Sequence, residues 1–217
     1  MKKNIVFIGP PGCGKGTQAH LLKEKLLLDH VSTGALLRQE VARGTPAGHE
    51  VKDLIEKGML IGDDLMLRVL TSYLDFHPSE SGFIFDGFPR MVSQAEWLRE
   101  YLSRRGENLQ CVIYFSIDEE ILTKRLSGRF TCTDCGATYN EYYKRPRHDG
   151  VCDVCGSSRF SRRADDAVEH VTKRLHEYHL QTKPLLPFYE TQGLLRRIDV
   201  MKSPEEVSKE ILAVVEA

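Results

Sequence analysis

The sequence predicts an α/β protein, with a parallel sheet covered by helices on both faces. Three observations point there. Short apolar runs alternate with stretches of helical periodicity, the first run ends in a glycine-rich loop that leads straight into a helix, and only residues 130–160 break the rhythm. Ile5 to Ile8 reads as a buried strand ending at Gly9, and the pattern from Lys15 through Leu26 as a helix. His30-Val31-Ser32, Phe83-Ile84-Phe85, Cys111 to Phe115 and Leu194 to Val200 are the later strand candidates. Helical patterns lie between and after them at Ala35 to Arg43, His49 to Lys57, Leu65 to Asp75, Met91 to Arg105, Glu119 to Leu126, Ala167 to Glu190 and Pro204 to Glu216. Right-handed crossovers follow, with ligands bound at the carboxyl ends of the strands.

Length and composition fit one domain carrying insertions. The chain has 217 residues, is 41% hydrophobic and has 30 basic against 31 acidic residues, so no overall basic field points to nucleic acid. No apolar run approaches the roughly 20 residues that cross a bilayer. The start, Met1 to Asn4 and then a five-residue apolar stretch, is too short for a secretory signal. The expectation is a cytoplasmic, monomeric protein without membrane or nucleic-acid partners.

Gly9-Pro10-Pro11-Gly12-Cys13-Gly14-Lys15-Gly16-Thr17 contains the spacing of a phosphate-binding loop, with Gly16 where Ser or Thr is usual and Thr17 following. Glycines let backbone N–H groups turn inward, the helix that starts near Lys15 adds its positive end, and Lys15 supplies a point charge. A plain glycine-rich turn is the bland alternative, but the loop has the strand before it and the helix after it that phosphate binding needs.

Four of the six cysteines form two pairs, Cys132/Cys135 and Cys152/Cys155, spaced C-x2-C-x16-C-x2-C. Two such knuckles suit a closed tetrahedral zinc site made of four thiolates, with disulfides or free thiols as the lesser alternatives. Asp86 ends a strand at the edge where ligands bind and can order water around Mg²⁺; as a bland alternative it caps the turn before Gly87. Arg125 and Arg129, spaced i, i+4, share a face if their helix persists, and guanidinium forks suit phosphate oxygens.

Five segments in order, spread over about 170 residues, resemble the adenylate kinase family. They are Gly9 to Gln18, Val31 to Arg38, Gly82 to Arg90 followed by Gln94, Arg125 to Arg129, and Arg163 to Asp166 with Arg174 beyond. The resemblance implies a P-loop NTPase-type sheet flanked by helices, in a single kinase domain over 1–217. An AMP-binding helical insertion at 32–61 and a zinc-bearing lid at 128–166 would be its mobile parts. It implies reversible phosphoryl transfer from ATP to AMP giving two ADP, with Mg²⁺ accompanying ATP and Zn²⁺ held by Cys132, Cys135, Cys152 and Cys155. Lys15, Asp86, Arg90, Arg125, Arg129, Arg163 and Arg174 would serve the transfer. ATP would lie against Gly12, Cys13, Gly14, Lys15, Gly16, Thr17, Arg129, Thr138, Tyr139 and Lys202. AMP would lie against Thr33, Arg38, Met59, Leu60, Ile61, Gly87, Phe88, Pro89, Arg90, Gln94, Arg163 and Arg174. Ala35 departs from the acid usual after Ser-Thr-Gly in that family, which weakens one part of the expected water network around magnesium. A kinase for UMP or CMP, and a zinc-ribbon module binding nucleic acid, are the competing readings. The long cysteine-bearing lid and Gln94 speak against the first. The knuckles' position inside the nucleotide fold, and not in a separate basic domain, speaks against the second.

Overall fold

The computed structural model describes residues 2–56, 61–162, 166 and 168–216. The order is β1 (Asn4–Ile8), α1 (Lys15–Leu26), β2 (Asp29–Ser32), α2 (Thr33–Arg43), α3 (Pro46–Glu56), α4 (Asp63–Phe76), β3 (Phe83–Asp86), α5 (Val92–Arg104) and β4 (Leu109–Ser116). A 3-10 turn (Glu119–Ile121) leads into α6 (Leu122–Ser127), β5 (Arg129–Cys132), β6 (Thr138–Asn140) and β7 (Phe160–Ser161). Then come α7 (Val168–Glu177), a π-helical turn (Tyr178–Thr182), α8 (Leu185–Thr191), β8 (Leu195–Asp199) and α9 (Pro204–Glu216).

The large sheet has strand order β2-β3-β1-β4-β8, all pairs parallel. Its strands are largely apolar because both faces are covered, and the pleat sorts the side chains. Val6, Ile8, Val31, Phe83, Phe85 and Val112 enter one core with residues of α2, α4, α5 and α8. Ile5, Phe7, Ile84, Cys111, Ile113 and Phe115 enter the other with residues of α1 and α9. The register aligns Phe7 and Ser32 with Asp86, and Ile8 with Tyr114, so the strand ends share one edge.

All five expected strands are present. The helix expected over Ala167 to Glu190 is not continuous. Pro184 has no N–H to donate and its ring clashes with the preceding turn. The chain widens into the π turn, where Lys183 N donates to Tyr178 O at 2.9 Å, and restarts as α8 with Pro184 at its cap.

Residues 130–160 form a small fold of their own, a three-stranded antiparallel sheet in the order β6-β5-β7. Its core consists of Cys132, Tyr139 and Cys152, with Phe130, Ala137 and Phe160 packed around them.

Candidate active site

A cleft of about 1370 Å³ runs along the carboxyl edge of the large sheet and reaches under the small one. The glycine-rich loop forms its floor. Gly14 caps α1 at φ 104°, a left-handed conformation that a residue with Cβ adopts only under strain. That turn leaves the first N–H groups of α1 facing the cleft, an anion site by construction. Lys15 Nζ lies over the loop, donating to Gly9 O at 2.7 Å and Pro10 O at 3.0 Å. Cys13 is buried, and burial pushes its thiol up in spite of Lys15 beside it, so it packs as a neutral side chain.

Asp86 ends β3 next to this loop. Burial alone would raise its pKa; the hydrogen bond from His30 and the charges of Lys15, His30 and Arg90 outweigh it and hold the carboxyl below its usual range. His30 Nε2 lies 3.3 Å from Asp86 Oδ2. The sequence gives no sign of this contact; it comes from strand pairing, since His30 is on β2, the strand hydrogen-bonded to β3. Asp86 is thus an ionised carboxylate at the edge where a hydrated Mg²⁺ would sit, which fits the expected role.

The turn after Asp86 builds the second half of the cleft. Gly87 has φ 85°, and a Cβ there would come within 2.9 Å of Thr33 Oγ1. Arg90 Nε donates to Gly87 O at 2.9 Å. Gln94, which sequence alone would leave exposed on its helix, is buried: its Oε1 accepts from Arg90 N at 2.8 Å and its Nε2 donates to Asp63 Oδ1 at 2.8 Å. Arg38, Gly87, Pro89, Arg90, Gln94 and Ile61 all line this part of the cleft. Thr33 and Phe88 are buried behind it. Met59 and Leu60 lie outside the described residues, as does Arg163.

At the other end, Arg129 grips Asp166 with both prongs of its guanidinium, at 2.7 and 2.5 Å, and Arg174 Nη1 reaches the same carboxylate at 3.1 Å. One buried aspartate therefore orients two arginines that line the cleft. Arg125 stacks over Tyr143 at 5.4 Å, and Asn140 ties its carbonyl to β6 at 2.8 Å. Thr138, Tyr139 and Lys202 also line the cleft. The Tyr139 hydroxyl, however, turns to the cysteines, and Lys202 Nζ is paired with Glu210 at 2.5 Å. Asp63 lies outside the segments read as motifs and Asp166 ends one of them without a role of its own, because the positioning work of both is visible only in their contacts.

The four cysteines are free thiols with ligand atoms all within 4.8 Å of one another, positioned to bind a metal. The Cys132–Cys155 and Cys135–Cys152 sulfurs are 3.6 and 3.5 Å apart. That is far from the roughly 2.05 Å of a disulfide. It is close to the edge of about 3.8 Å that a tetrahedron with Zn–S bonds of about 2.3 Å requires. Each knuckle closes in the same way, with Gly136 N on Cys132 O at 3.0 Å and Gly156 N on Cys152 O at 2.9 Å. No helix among the described residues is long and apolar enough to cross a membrane.

The profile of the adenylate kinase family matches residues 7–194. An adenylate kinase of Zymomonas mobilis subsp. mobilis is 46% identical over 212 residues, covering 98% of this chain and 95% of its own length. One of Rhizorhabdus wittichii is 44% identical over 213 residues, covering 98% and 99%. One of Ruminiclostridium cellulolyticum is 41% identical over 208 residues, covering 96% and 97%.

Proposed function

The chain belongs to the adenylate kinase family, whose reaction moves a phosphoryl group reversibly from ATP to AMP and gives two ADP, and we propose that it performs this transfer in the cleft between the glycine-rich loop, the Asp86–Arg90 turn and the small sheet. The observation that carries the reading is the convergence of Lys15, Asp86, Arg90, Arg129 and Arg174 on one cleft.

Phosphoryl transfer needs little covalent work from a protein; it needs two phosphates held in line, charge neutralised and water kept out. The N–H groups of Gly12 to Thr17 and the Lys15 ammonium would hold the ATP phosphates. Arg38 and Arg90 would fork onto the AMP phosphate, with Thr33, Gln94 and residues 59–61 around its nucleoside. Arg125, Arg129, Arg163 and Arg174 would spread over the transferring group, where charge develops. Mg²⁺ arriving with ATP would neutralise its phosphates, with Asp86 ordering the ion's waters. Cys132, Cys135, Cys152 and Cys155 would hold Zn²⁺, which supplies rigidity and no open coordination position. Segments 32–61 and 128–166 would close on AMP and ATP, excluding water that would otherwise accept the phosphoryl group. The protein would act as a cytoplasmic monomer on adenine nucleotides, without nucleic-acid partners.

Two adenosines joined by five phosphates test the two-site geometry. Such a ligand meets the association cost once for two sites, so it should bind far more tightly than ATP or AMP and protect 128–166 from protease. Binding no tighter than ATP, with no protection, overturns the two-site reading. A coupled assay with AMP, UMP, CMP and GMP as acceptors checks the base, with AMP expected to lead.

A further inference from the structure

Tyr139 has two sides. Part of it lines the cleft, but its hydroxyl is buried on the far side, where it accepts from Asp153 N–H at 2.7 Å and lies 3.4 Å from Cys152 Sγ. Either atom of that pair could donate; a metal-bound Cys152 thiolate carries no proton, which leaves the hydroxyl as the donor. The ring cannot drift from this pose. It stacks on Phe130, its cross-strand partner, at 5.7 Å and meets Phe160 edge-on at 5.7 Å, in the core of the small sheet.

We infer that Tyr139 is a positioning residue of the cysteine centre, its O–H donating to Cys152 Sγ and its oxygen pinning the backbone of the second knuckle through Asp153. The inference rests on the reading of the four cysteines as a metal site. A metal-bound thiolate keeps excess negative charge, and a donor aimed at it both fixes the sulfur's direction and draws off part of that charge. Tyr139 thereby joins the second knuckle, which adds no strand to the sheet, to the strand layer beneath it. The same residue borders the nucleotide cleft, so the centre and the cleft share one side chain.

Tyr139→Phe keeps the ring and removes one oxygen. The full-length chain is loaded with Co²⁺, whose sulfur-to-metal charge-transfer band reports on the thiolates, and then challenged with a chelator. The variant should release Co²⁺ roughly ten- to a hundredfold faster. Its band should shift to longer wavelength, because a thiolate without its donor gives up an electron more easily. Phe160→Leu, which loosens the same ring cluster without touching the oxygen, should soften the small sheet and leave the band in place. Wild-type release and band position in Tyr139→Phe overturn the inference alone. A band that moves as far in Phe160→Leu overturns it too, by showing a general effect of loosening. A wild-type chain that takes up neither Co²⁺ nor Zn²⁺ overturns the metal reading as well.

Discussion

The two sheets of this molecule are held together by different chemistry. In the parallel sheet, nearly every side chain of β1, β3 and β4 that faces a helix is buried, and two apolar cores sandwich the strands. In the antiparallel sheet the buried centre is one tyrosine and two cysteines. Area burial at about 25 cal/mol per Å² stabilises the first without help. It cannot stabilise the second, which is far below the size at which an apolar core suffices. The region proposed to close over the cleft is therefore the one that would lean on a metal held by its four sulfurs, and the region beneath it would owe nothing to them.

Metal removal should break this contrast most completely. Structural zinc contributes apparent energies on the order of 10 kcal/mol to small folds. A strong chelator should therefore strip amide-exchange protection from residues 129–161 and leave that of β1, β3 and β4 unchanged; loss of protection in both sheets would show one cooperative unit. Lys15→Met should cut turnover by about 10²–10³-fold with the melting temperature of the large sheet preserved, since the ammonium contacts only groups of its own loop, two carbonyls and the Cys13 sulfur. Near-normal turnover in a folded variant would remove the loop from the chemistry. Arg90→Ala should raise the KM for AMP roughly ten- to a hundredfold, the worth of a charged hydrogen bond, with ATP affinity much less affected; titration of each nucleotide separates the two.

The smallest effect belongs to the foot of the large sheet. Glu107 is buried there, accepting from Lys2 Nζ at 2.9 Å and Asn4 Nδ2 at 3.1 Å, with Arg105 Nε at 3.5 Å. Burial would raise its pKa, but Lys2, Asn4 and Arg105 together lower it below the usual value. A carboxyl depressed in the folded state stabilises above its unfolded pKa, and that contribution fades as pH falls through the folded value. Glu107→Gln should cost about 1–2 kcal/mol at neutral pH. The gap to wild type should narrow below about pH 4.3, the ordinary glutamate value, in thermal melts across pH. The exchange protection of 129–161 should not change.

What sequence shows and hides follows the same division. The alternation of apolar runs and helical patterns gives all five parallel strands, because a strand buried on both faces leaves a continuous apolar signature. The glycine loop and the cysteine spacing are legible because each demands particular residue types at fixed intervals. The π turn at Tyr178–Thr182 is not legible as a helical pattern, since apolar periodicity runs on across Pro184 while the backbone does not. The positioning roles of His30 and Asp166 are hidden for another reason. Each acts on a partner 56 or 37 residues away, His30 on Asp86 and Asp166 on Arg129, and only the tertiary fold makes them neighbours. Gln94 reads as a surface helix residue until the Asp86–Arg90 turn folds over it, where Arg90 N donates to its amide oxygen and Asp63 of α4 accepts from its amide nitrogen.

The small sheet leaves the large fold and returns to it at nearly the same point. β5 and β7 are hydrogen-bonded neighbours, Arg162 Nη1 donates back to Ser127 O at 2.9 Å, and Arg129 clasps Asp166. In polymer terms the segment is a loop whose ends are already closed. Lengthening or trimming it changes the closure entropy only as about (3/2)RT ln n, so that doubling its length costs about 0.6 kcal/mol. The strand order of the large sheet is untouched by any such change. Descendants of this chain can therefore exchange the tip of the segment for a shorter or differently stapled one without re-threading the catalytic fold.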